Sequence, residues 1–161
     1  MSKQILVAID FTPITTHLIQ EAVRLAEPGR AKVRLIHVVG KDTMTLWFDR
    51  MTEFTVFGAP EQTMLEQMRM KLADRADELI AQLAKDFSKP DVEVTGRVAK
   101  GSVVDEVVKE AKAIRADLLI CAAHQHESLS HTLLGSVASK LAEKAPCSVM
   151  VVRQPADTVR D

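Results

Sequence analysis

An apolar run near the C-terminus ends in Ala122-Ala123-His124-Gln125, nine residues intervene, and Gly135-Ser136 then opens a helical pattern. The second pair has the chemistry of an anion site. A Gly-Ser at a helix start aims unpaired backbone N–H groups and the positive end of the helix dipole at a negative group. A phosphate-binding loop of this kind also wants glycine at the end of the preceding strand, where backbone must approach the ligand closely. Here those places carry side chains. Asp10, closing the first apolar run, is a second candidate. Its carboxylate could hold Mg beside phosphates or cap the turn that follows it.

Other chemistry-bearing groups point less far. His124, His126 and His131 cluster within a short stretch, with Glu127 as the only nearby carboxylate. Tetrahedral zinc needs a tighter ligand set than that, and no metal site is predicted. Gly101-Ser102 opens another helical pattern, where Ser102 and Asp105 have capping-box spacing with Asp in place of Glu. A plain N-cap accounts for that pair. There is no nucleophile elbow, Walker A lysine or carboxylate pair at meaningful spacing, so no catalytic residue is assigned and the protein is expected to be non-enzymatic. Cys121 and Cys147 lie in apolar runs and read as reduced, buried thiols.

These groups must be positioned by alternating strands and helices. Gln4–Asp10 reads as a buried strand, Thr12-Pro13 as the N-cap and first turn of a helix that ends at Pro28-Gly29, and Lys32–Val39 as a second strand. After Pro60 a long helix carries Leu65, Met68, Leu72, Ala76, Leu79 and Leu83 on one face. Val92–Val98 forms a third strand, Asp117–Ala122 a fourth, Ser136–Lys144 a helix and Ser148–Val152 a fifth strand. Strands that are apolar on both faces and alternate with helices imply a parallel sheet covered on both sides. The expectation is a single three-layer α/β/α domain with sheet order 3-2-1-4-5, which sets Asp10 and Ala122 side by side where the strand order reverses.

Composition narrows the function classes. The chain has 161 residues, 47% hydrophobic and 27% charged, enough for one domain with a real core. A net charge of -1 and the lack of a Lys/Arg cluster argue against nucleic acid as a partner. No apolar stretch reaches membrane-spanning length, and the first ten residues enter a strand with no cleavage site, so a cytoplasmic location without membrane insertion is expected. From Gly40 to Ala59 periodicity is lost. That segment holds Trp47, the only tryptophan, and three of the five phenylalanines, Phe48, Phe54 and Phe57. It is expected to bury Trp47 at least partly, over the crevice or in an interface.

The segments ILVAIDFTP, LIHVV, ADLLICAAH and, most specifically, LLGSVASKLAEKAPCSVMVVR together resemble the universal stress protein family over nearly the whole chain. The resemblance implies a Rossmann-like domain of the adenine nucleotide alpha hydrolase-like type over residues 1–155, with 156–161 as a tail. Nucleotide-binding members carry Gly-x-x-Gly, nine residues, then Gly-Ser or Gly-Thr. On that pattern Asp10, Val38, Ala122, His124, Gly135, Ser136 and Val137 line the nucleotide crevice, with ATP and Mg as the implied cofactors. Ala122 and Gln125 stand where the two glycines belong. The methyl of Ala122 is a modest intrusion if the backbone is ordinary, and roughly one kcal/mol or more worse if φ must be positive. Gln125 is expected to block the phosphate space. The His-Gln pair is similar to a family branch that lacks ATP binding, whereas Gly135-Ser136 is kept.

The leading expectation is therefore a regulatory, stress-response module. It acts as a homodimer through the last strand, binds ATP weakly or not at all, and serves a protein partner that the sequence does not identify. The alternative is an ATP-binding switch whose nucleotide state controls partner binding. A third reading, metal or small-ligand binding, rests on the histidine cluster.

Overall fold

A computed structural model describes residues 2–27, 31–40, 62–123 and 134–153. In chain order the elements are β1 (Gln4–Ala8), α1 (Thr15–Ala26), β2 (Lys32–Gly40), α2 (Gln62–Phe87), β3 (Glu93–Gly101), α3 (Val103–Ala113), β4 (Leu118–Ala122), α4 (Ser136–Lys144) and β5 (Ser148–Val152). The five strands form one parallel sheet in the order β3-β2-β1-β4-β5, as expected from the pattern.

Alternation along the strands splits the core into two layers. On one face Val7, Val33, Leu35 and Ile120 meet Leu18, Ile19 and Ala22 of α1 and Ile80 and Ala84 of α2. On the other, Leu6, Ile36, Val38, Leu119 and Cys121 meet Val104, Val107 and Ala111 of α3 and Ala138 and Leu141 of α4. Such strands read as continuous apolar runs because both of their faces are covered.

Two elements depart from the sequence reading. Thr12 does not cap α1. Its backbone N–H and its hydroxyl both donate to Asp10 Oδ1, at 3.0 and 2.6 Å, and the helix starts at Thr15 with Ile14 as its N-cap. The carboxylate has captured the capping group, so residues 12–14 form a separate turn, closed by Thr15 N–H donating to Thr12 O at 3.0 Å. The second departure is the face of α2. Ala73, Ala76, Ile80 and Ala84 are buried while Leu72 is 44% exposed. Gly96 explains the choice: a Cβ there would lie 2.8 Å from Ile80 Cγ1. The helix packs on β3 too closely for a row of leucines, and small residues with one isoleucine take the seam.

Strand ends moved by one to three residues. β1 stops at Ala8 rather than Asp10, β3 runs from Glu93 to Gly101, and β4 begins at Leu118. Phe11 takes φ 59°, which turns the chain out of the sheet just past β1.

Candidate functional site

The carboxyl edge of the three central strands collects most of the expected residues. β1 lies between β2 and β4, with Ala8 level with Ile36 and Val7 level with Ile120. Asp10, Val38 and Ala122 therefore sit near one another along the rim of neighbouring strands. The order reverses at β1, the place where open parallel sheets bind ligands.

Each member has a definite local role. Asp10 is exposed and accepts both hydrogen bonds from Thr12, so it does cap the following turn. Val38 is 7% exposed and points into the α3/α4 layer. Ala122 ends β4, half-buried, and is absent from the positive-φ residues, which among the described non-glycines are Phe11 and Arg115. The backbone at 122 thus has no conformational need for glycine. Only the space taken by a methyl separates it from the family pattern.

Gly135 is the N-cap of α4 and Ser136 its first helical residue. Among the described residues no side chain caps this end, and no acidic residue stands in the first turn. The first N–H groups of a helix have no partner within it, so this end offers donors and a positive dipole toward the crevice. Val137 is 38% exposed and Leu134 41% exposed beside it. His124 and Gln125, with His126 and His131, lie outside the described residues, as do Trp47 and the aromatic segment 41–61.

Cysteine chemistry is muted, although Cys147 is less buried than its apolar run implied. Both thiols are free; Cys121 is buried and Cys147 half-buried. Burial pushes the Cys121 thiol up to about 11. Burial, then the nearby charge of Asp117, also raises Cys147, partly offset by a backbone hydrogen bond from Leu119. Thiols raised in this way are poor nucleophiles near neutral pH.

Sequence reasoning did not anticipate Phe11 and His37. The His37 Nδ1–H donates to Ile9 O at 2.9 Å, and the two rings stand 4.4 Å apart at 47°. Both residues occur in the segments quoted for the family resemblance, but nothing in their spacing shows that they meet.

A doubly wound parallel sheet whose order reverses at β1 defines an open α/β domain of the kind that binds ligands at the carboxyl ends of its strands. The universal stress protein family model matches residues 1–153, and the chain belongs to that family. A curated relative, a universal stress protein of Methanocaldococcus jannaschii, is 24% identical over 153 residues, covering 95% of this chain and 83% of its own. The solved universal stress protein of Lactobacillus plantarum superposes with a TM-score of 0.72 at 21% identity, covering 94% of this chain and 97% of that one. A family protein of Arabidopsis thaliana, solved with AMP bound, superposes with a TM-score of 0.60 at 17% identity over 96% and 94%. At these identities the structural likeness is one of fold, and it is the Rossmann-like α/β fold. Among the described residues, no helix is long and apolar enough to cross a membrane.

Proposed function

We propose that this universal stress protein is a non-enzymatic regulatory module that works as a homodimer and binds ATP weakly or not at all. The observation that carries the reading is the half-kept crevice. Gly135-Ser136 still starts α4 uncapped, while Asp10 serves its own turn and Ala122 and Gln125 replace the two glycines. A nucleotide needs both halves, one for close backbone approach and one for charge. From its place in the motif Gln125 is expected to block the phosphate space, and Mg would compete with Thr12 for Asp10 Oδ1.

The homodimer rests on β5, an edge strand bonded to β4 on one side. Ala123 N–H donates to Val152 O at 2.9 Å, so Val152 turns its peptide groups toward β4. Peptide groups alternate along a strand, so Val149 and Val151 turn theirs to the open edge. With Val149, Met150 and Val151 all half-buried, that edge suits pairing with a second copy.

A second reading, an ATP-binding switch, is favoured by the relaxed backbone at Ala122 and the open start of α4. The AMP-bound family protein of Arabidopsis thaliana shows that the family's fold can hold an adenine nucleotide. Native mass spectrometry tests both parts together. The expected species is a dimer without nucleotide, turned to monomer by Val151→Pro, which removes an edge donor. A monomer in the unaltered protein, or a retained ATP, contradicts the proposal.

A further inference from the structure

A cavity of about 170 Å³ opens between the end of β2 and α2. Along β2 the side chains alternate, so Leu35 belongs to the α1/α2 layer while Ile36 and Val38 belong to the α3/α4 layer. His37 and Val39 follow Leu35, away from the start of α4. The cavity lies between them and α2, walled by Phe11, His37, Val39, Leu72, Ala76 and Leu79.

Its chemistry is selective. A cavity of about 150 Å³ holds a molecule the size of benzene, so the volume suits one aromatic ring rather than a fused base. Of the described lining residues only Arg75 carries a fixed charge, and its guanidinium donates to Glu78 at 3.0 Å. The walls therefore favour a neutral ligand. His37 has one nitrogen committed, since Nδ1 must carry its proton to donate to Ile9 O. In the neutral ring Nε2 is then an acceptor, and it has no partner among the described residues. Phe11, held at φ 59°, tilts its ring against the same imidazole. An off-menu backbone angle of this kind persists where the surroundings enforce it, as they do around ligand clamps. Leu72, 44% exposed, leaves apolar surface at the cavity wall.

We infer that this cavity binds a neutral one-ring aromatic molecule bearing an O–H or N–H donor, of the phenol class. The ring would fill the space between α2 and β2, tilted against Phe11, and its donor would meet His37 Nε2. The site adjoins the crevice at Val38, which lines this cavity too.

Phenol and toluene, alike in shape and different by one donor, are the probes. Titration followed by the NMR signals of the His37 ring and the Leu79 methyls is expected to show both binding, phenol about fivefold tighter, the ratio one neutral hydrogen bond gives. His37→Phe should keep toluene and abolish the preference. Because His37 also holds Ile9, Ala76→Leu provides a second variant that fills the cavity from the helix side and should weaken both ligands at least tenfold. Equal affinities in the unaltered protein, shifts scattered away from the cavity, or phenol binding unchanged by Ala76→Leu would each overturn the inference.

Discussion

Two helices of this molecule start from the same dipeptide, and the outcome differs by one position. At Gly101-Ser102 the serine is the N-cap of α3, extended in backbone, and its Oγ accepts from Asp105 N–H at 3.4 Å. Asp105 and Glu106 add negative charge to the first turn. At Gly135-Ser136 the glycine is the N-cap, so the serine is already inside α4 with no capping bond, and the first turn holds no acid. The first helix satisfies its own positive end, whereas the second leaves it for something else. The same Gly-Ser pair thus caps its helix in one place and leaves the first turn without a serine cap in the other.

The contrast extends along the helices. Glu110 of α3, 3% exposed, reaches Arg34 of β2 at 3.6 Å between Oε1 and Nη1, and donates nothing but accepts from Arg97 Nη1 of β3. It ties the helix to two strands. Helix α4 holds to the sheet through small and apolar contacts instead, with Ala138 and Leu141 as its buried residues. Stability effects should follow that asymmetry. Glu110→Ala is expected to cost about 2 kcal/mol, the scale of a charged hydrogen bond, because Arg34 and Arg97 are a third to a half exposed and can return to water. The melting temperature should fall by about 6 °C. No change would mean that α3 is held by its apolar face alone.

Ser102→Ala comes next, with a loss of about 1 kcal/mol as Asp105 N–H loses its acceptor. Ser136→Ala should leave stability within about 0.5 kcal/mol, since that hydroxyl caps nothing. Ser136→Asp should gain about 0.5 kcal/mol by supplying the missing negative charge to α4. Chemical denaturation of the three variants side by side checks the order. If Ser136→Ala cost as much as Ser102→Ala, the two helix starts would be equivalent and the comparison would fail.

Much of the architecture was legible because buried parallel strands announce themselves as apolar runs, and helices between them fix the winding. The capping of α3 was legible too, since Ser102 and Asp105 stand at the spacing the bond requires. The start of α1 was not. A sequence with Asp10 and Thr12 two apart permits either residue to cap, and only the chain path past Phe11 decides that the carboxylate takes the hydroxyl. The buried face of α2 was shifted because hydrophobicity favours Leu72 and Leu79, whereas the closeness of Gly96 to Ile80 favours alanines. The same shift leaves Leu72 and Leu79 to wall the cavity beside His37, which the apolar pattern hid. At the crevice, the residue types at Asp10, Ala122 and Gly135-Ser136 were readable, and the structure added that Ala122 carries no backbone strain.

With an ordinary backbone at Ala122, the proposed obstacle to nucleotide is Gln125 together with the Ala122 methyl. Calorimetric titration with MgATP, run on the unaltered protein and on Ala122→Gly/Gln125→Gly, tests the central claim most directly. The account predicts no measurable binding at micromolar concentrations in the unaltered protein and clear binding in the double variant, with Asp10, Val38 and Gly135-Ser136 already in place. Micromolar affinity in the unaltered protein would contradict it.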